Sequence, residues 1–191
     1  MPEWAHRYER DHPVTVEGRE PREACDFWEW ALCKPSDVQR GLIAEYLIAV
    51  ALDVDDKPYE EWARWDLMTK SGVTVQVKAS AYLQPWEQRH ESRPGFRFAK
   101  KRGEENIGGR FIRYELDHHA DVYVFALHNH HVRETLDMFD GSQWEFWVFA
   151  KRKLPPQDSI SVKSLRAQKF KSVGIGALGA AIEEAHRKAN A

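Results

Sequence analysis

Apolar residues recur at helical spacing through Val38, Leu42, Ile43, Tyr46, Leu47, Ala49 and Val50, which predicts a well-buried helix from Asp37 to about Leu52. Ser36 stands at its N-cap, and Gln39 three positions on completes a capping-box pattern in which the amide reaches back to Ser36. Asp53 to Pro58 reads as a loop. The period then changes to two. Trp62 to Met68 and Val73 to Ser80 form the arms of a hairpin around Lys70-Ser71-Gly72, a loop whose glycine can take the left-handed conformation of a bulge turn. In the register this loop implies, Asp66 faces Gln76 and Arg64 faces Lys78. One face carries Arg64, Asp66, Thr74, Gln76 and Lys78, and the other carries Trp65, Leu67, Val73, Val75 and Val77.

Farther along, Asp121 to Leu127 is nearly all apolar, as expected of a strand buried on both faces. Trp144 to Ala150 alternates with aromatics, Lys151 to Pro156 ends that strand, Ser159 to Leu165 suggests a short strand, and Val173 to Lys188 a C-terminal helix. Residues 1–35 are polar and aromatic (Trp4, Tyr8, Phe27, Trp28, Trp30). They read as an N-terminal arm with one short helix near Glu23 to Leu32, whose rings would pack on the main domain or on a second subunit. The order helix, several strands, helix predicts an α/β sandwich around a central mixed sheet over residues 36–191, with residues 82–113 as a basic, loop-rich insertion.

Composition narrows the class. A chain of 191 residues, 42% hydrophobic and 30% charged, is expected to form one domain with a core of its own. Two cysteines, Cys25 and Cys33, make neither a disulfide framework nor a paired-thiolate metal site. The longest apolar run, Leu42 to Leu52, is broken by Glu45 and too short for a bilayer, and Met1-Pro2-Glu3-Trp4 lacks the marks of a secretory signal. The expectation is a soluble, cytoplasmic protein without membrane contact. Charge is segregated: residues 1–66 hold 8 Lys/Arg against 16 Asp/Glu, whereas residues 67–191 hold 20 against 14. A polyanion-binding face beside an acidic, metal-ready region would produce such a split, and so would chance clustering of solvated faces.

Glu45 is the only charged residue between Gly41 and Leu52. A carboxylate on an otherwise apolar helix is costly unless something pairs with it or binds there. The hairpin that follows offers Asp66, Gln76 and Lys78 on one face. A helix glutamate, an aspartate at a strand end, then Gln76-Val77-Lys78 on the next strand resembles the PD-(D/E)XK nuclease superfamily, of restriction-endonuclease-like fold. Val73-Thr74-Val75-Gln76-Val77-Lys78-Ala79-Ser80 is similar to the strand that carries this motif. Ala120-Asp121-Val122-Tyr123-Val124-Phe125 is similar to the apolar strand that follows it. The resemblance covers about Ser36 to Ala150. Two departures stand out: Trp65 rather than proline precedes Asp66, and Gln76 replaces the usual second acid, an exchange that resembles a variant in type I restriction enzymes.

The resemblance implies a magnesium-dependent endonuclease acting on DNA in restriction, defence or repair, with Mn²⁺ able to substitute. Asp66, Gln76, the carbonyl of Val77 and Glu45 would be the metal ligands, one ion being expected rather than two. Lys78 would position water and offset the charge of the transition state. Arg64, Arg89, Arg93, Arg97, Lys100, Lys101 and Arg102, interleaved with Tyr82, Trp86, Phe96, Phe98 and Phe111, would supply cations for phosphates and rings for bases. Such a chain would cut both strands as a homodimer or nick one as a monomer. The alternative is a catalytically inactive nuclease fold serving as a nucleic-acid-binding or assembly module, with Gln76 marking a decayed site.

Other signals weigh less. Gly174 to Gly179 matches GxGxxG but follows no clear strand, so no nucleotide cofactor is expected, and its glycines would serve close packing of the last helix. His118, His119, His128, His130 and His131 cluster. A zinc site is conceivable there, but a solvated loop or phosphate contacts at a cleft mouth fit better. Lys151-Arg152-Lys153 with Lys163, Arg166, Lys169 and Lys171 forms a second basic region.

Overall fold

In the computed structural model, residues 8–32, 36–56, 59, 63–107 and 110–190 are described. In chain order the elements are β1 (Pro13–Val14), β2 (Arg22–Glu23), α1 (Ala24–Leu32), α2 (Asp37–Leu52), β3 (Leu67–Met68), β4 (Thr74–Ala81) and β5 (Gly95–Arg97), then β6 (Glu104–Ile107), β7 (Arg110–Arg113), β8 (Val122–His128), β9 (Trp144–Ala150), β10 (Ser159–Ser161), α3 (Val162–Ala167) and α4 (Ile175–Asn190). Trp4, Cys33, Pro35, Pro58 and Trp62 lie outside the described residues.

The centre is a four-stranded sheet in the order β3-β4-β8-β9. β3 and β9 run antiparallel to their neighbours, whereas β4 and β8 are parallel, with Val75 opposite Val122 and Gln76 opposite Tyr123. A mixed sheet is therefore present, as expected. Both parallel strands start at one clamp. Asp121 Oδ2 accepts from the Thr74 amide (3.0 Å) and hydroxyl (2.7 Å), and the Asp121 amide donates back to Thr74 Oγ1 (2.9 Å). Burial alone would raise the Asp121 pKa, but these Thr74 hydrogen bonds outweigh it and hold the carboxylate below its ordinary value.

All seven residues of β8 are buried, because the strand has a core on each side. Val122, Val124 and Ala126 pack with Val75, Val77, Ala44 and Ile48 of α2, and Leu178 and Ile182 of α4. Tyr123, Phe125 and Leu127 pack the other way, with Phe96, Phe98, Trp147, Ile160 and Leu165. Each fully buried large side chain contributes about 1.5–3 kcal/mol. Helices α2 and α4 cover the first face. The second is covered by the two-stranded β5–β10 ribbon and the short α3. The path from β4 to parallel β8, residues 82–121, contains no helix among its described residues, although such crossovers usually carry one.

Several expectations change. The Ser36 cap forms, its hydroxyl accepting from the Gln39 amide at 3.2 Å, but the Gln39 side chain passes Ser36 and donates to the Ala31 carbonyl (3.1 Å), tying α2 to α1. One flank of α2 lies in the core. Val38, Tyr46 and Val50 are exposed, because the sheet and α4 cover only the Ala44–Ile48 side. Residues 159–165 divide into three strand residues and a helix capped by Ser161, whose hydroxyl accepts from the Ser164 amide. Phe27, Trp28, Trp30 and Leu32 of α1 are exposed. A Cβ on Gly174 or Gly176 would meet open space, and one on Gly179 would meet Leu52 at an ordinary 3.5 Å, so close packing does not require these glycines. Among the described residues no helix is long and apolar enough to cross a membrane.

Candidate active site

The hairpin forms as its sequence dictates. Gly72 takes φ +91°, which glycine adopts without strain, and the Thr69 amide donates to the Val73 carbonyl across the turn at 2.9 Å. Leu67 pairs with Val75 and Met68 with Thr74, the register expected. β3 is only two residues long, however, because the backbone bends at residues 64–66. That bend breaks the alternation. Trp65 packs on the second core rather than beside Leu67, and the Arg64 guanidinium lies 4.0 Å over the Tyr114 ring, not opposite Lys78.

Where β3 ends, the edge of β4 is left to Asp66. Its amide donates to the Val75 carbonyl (3.0 Å), and its Oδ2 accepts from the Val77 amide (2.6 Å) and from Gln76 Nε2. An extended residue sends its N–H and C=O to the same side of the strand, so the Val77 carbonyl also faces the Asp66 edge. Gln76 is 2% exposed and lies opposite Tyr123 of β8.

Glu45 arrives from α2. It and Asp66 line one cleft of about 430 Å³, whose walls include Leu42, Tyr46, Ala49 and Leu67. Burial pushes the Glu45 carboxyl up from about 4.5 to about 7, helped by the negative charge of Asp66 and opposed by Lys78 and Lys101. Lys78 is held below its ordinary value, because burial outweighs the attraction of Asp66 and Glu45. The sequence favours a lysine governed by neighbouring carboxylates; in the folded chain desolvation is the larger effect. Gln76 and Lys78 open on a second cleft, of about 290 Å³, lined by Arg97, Lys100, Lys101 and Tyr123.

Two buried oxygens here have no hydrogen-bond partner among the described residues: Glu45 Oε2 and Gln76 Oε1. Leaving such atoms unsatisfied costs about 1–3 kcal/mol each. Together with Asp66 and the Val77 carbonyl they make a set of hard oxygen donors, the kind Mg²⁺ takes alongside waters. No three His, Cys, Asp or Glu side chains among the described residues could hold a metal by themselves, so the set depends on the amide and the main-chain oxygen.

The remaining candidates divide. Arg97, Lys100 and Lys101 border the second cleft, whereas Arg89, Arg93 and Arg102 are exposed and line neither cleft. Phe96 and Phe98 belong to the core, each 2% exposed, and Phe98 also borders the second cleft; Trp86 and Phe111 are exposed. Tyr82 tucks against His131 with ring centroids 4.4 Å apart. In the second basic region Lys151 pairs with Asp117 and Arg166 with Glu145, so those two are engaged.

His128 is a core residue, 1% exposed, not part of a solvated loop. Its Nε2 lies 3.2 Å from both the Asp137 carbonyl and Gln143 Oε1, and burial lowers its pKa. His130 bonds Thr135 and His131 bonds Glu91. Tyr123 escapes the sequence reading, although it carries the one hydroxyl in an apolar strand. Burial raises that hydroxyl to about 12. Comparison with protein-family models, curated proteins and solved structures gives no match to this chain.

Proposed function

We propose that the chain is a divalent-metal-dependent nuclease of the PD-(D/E)XK type that hydrolyses DNA, serving restriction, defence or repair, and that its sheet and helices form a restriction-endonuclease-like core. One observation carries the reading. Two buried oxygens lack a partner among the described residues, Glu45 Oε2 and Gln76 Oε1; Glu45 shares a cleft with Asp66, Gln76 is hydrogen-bonded to Asp66, and Lys78 shares the cationic cleft with Gln76. Asp66, Glu45, Gln76 and the Val77 carbonyl would hold a magnesium ion, which when bound supplies Lewis-acid polarisation of the phosphate and a more acidic water. Glu45 gives up its proton to serve as a ligand. Lys78 orients the attacking water and offsets charge that develops on the phosphate oxygens. Arg97, Lys100 and Lys101 draw the sugar–phosphate chain into the second cleft.

Magnesium-dependent cleavage of DNA, single-stranded circles as well as supercoiled plasmid, tests the reading. Asp66→Ala and Lys78→Ala should each lower the rate by at least about a hundredfold. Cleavage that persists in both variants would refute it. A second reading, an inactive nucleic-acid-binding or assembly module, is favoured by one contact: Gln76 donates its amide to the Asp66 carboxylate where an acid would add charge. DNA binding by wild-type protein with no cleavage in Mg²⁺ or Mn²⁺ would select it.

A further inference from the structure

The two clefts at the site differ in chemistry. The one shared by Gln76 and Lys78 is cationic, with Arg97, Lys100 and Lys101 on its walls. The one shared by Glu45 and Asp66 is apolar and bordered by Tyr46 and Tyr59, and among the described residues its charged lining groups are three acidic side chains, Glu45, Asp66 and Asp55. Phosphate is repelled from the Glu45–Asp66 cleft and attracted to the cationic one. A flat, neutral, largely apolar group suits the Glu45–Asp66 cleft, whose volume of about 430 Å³ lies in the range of ordinary ligand pockets. Because the clefts meet at Asp66 and Gln76, whose side chains are hydrogen-bonded, one nucleotide can present its phosphate to one and its base to the other.

Resting on the nuclease reading above, we propose that the Tyr46–Tyr59 cleft seats one unstacked nucleobase beside the scissile phosphate. The substrate is then a single strand, or a duplex end able to fray, rather than an intact duplex. Inside a duplex the bases are stacked away from the backbone, so a phosphate held near Lys78 would leave this cleft without an occupant unless a base were extruded, at the cost of its stacking and pairing energy. Aromatic stacking returns a comparable amount for each base and tolerates any sequence.

The test is an abasic scan. A fluorescein-labelled single-stranded DNA of about a dozen nucleotides is titrated with wild-type protein in EDTA, which stops metal-dependent cleavage, and each position is replaced in turn by an abasic site. One position should weaken binding about tenfold or more, and the matched intact duplex should bind more weakly than the single strand. Repeating the scan with Tyr46→Ala should flatten it at that position, an outcome that general destabilisation would not produce. A flat scan with wild-type protein, or plasmid duplex cut in Mg²⁺ as fast as single strands, overturns the base-seating proposal and leaves the nuclease reading standing. Failure to bind or cut any of these DNAs overturns both.

Discussion

Replacing Glu45 by glutamine should make the metal-free protein more stable above neutral pH. The carboxyl rises from about 4.5 to about 7 on folding, chiefly through burial and then through the charge of Asp66. A carboxylate whose pKa is raised in the folded state favours folding while protonated. Its contribution is fully present below about 4.5 and is lost as pH climbs through about 7. A rise of that size corresponds to about 3 kcal/mol. Solvent still reaches part of the side chain, which lowers the figure to about 2 kcal/mol. Glutamine keeps the shape and removes the charge. Urea unfolding in EDTA at pH 8 should therefore place the Glu45→Gln midpoint about 1 M above wild type, with the gap nearly closed at pH 5. Magnesium or manganese should stabilise wild type at pH 8 and leave the variant unmoved. A variant no more stable than wild type at pH 8 would refute the argument that this glutamate carries a folding penalty in exchange for its position.

Two further outcomes follow from contacts away from the site. Asp121→Asn removes a charged acceptor of two Thr74 hydrogen bonds and should cost about 1–2 kcal/mol at pH 7. Because the Asp121 pKa is lowered by folding, that gap should narrow as pH falls below about 3.8, which chemical denaturation at acid pH would reveal. His128→Ala should cost about 2–4 kcal/mol, since it empties a fully buried position and strips partners from Asp137 and Gln143. His128 is held neutral by burial, so wild type should also lose stability as pH falls below about 6.5, and the variant should lose less over that interval.

Local pattern accounts for much of this architecture. The helix over Asp37–Leu52, the Gly72 turn with its register and the strand over Trp144–Ala150 all follow from periodicity and turn chemistry. So does the meeting of Asp66 with Gln76. What escaped depends on contacts distant in sequence. Phe96 and Phe98 alternate with Arg97 in the pattern of a surface strand, yet the pairing of Phe96 with Ile160 turns both rings inward. The bend at residues 64–66 sends Arg64 to Tyr114, a partner fifty positions away that no hairpin rule contains. Gln39 bonds a different helix because α1 folds back to within its reach.

The long path between β4 and β8, without a helix among its described residues, bears on the order in which the molecule assembles. Asp66, Gln76 and Lys78 lie on a single turn-closed hairpin, a unit that forms in microseconds. Joining β4 to β8 must instead close a loop of about forty residues, an entropic cost met only later. Until then β4 presents its other, unpaired edge to neighbouring chains. The charges needed at maturity, Asp66 and Lys78, sit on that hairpin from the start, where they discourage intermolecular pairing and so protect the chain before they have any other task.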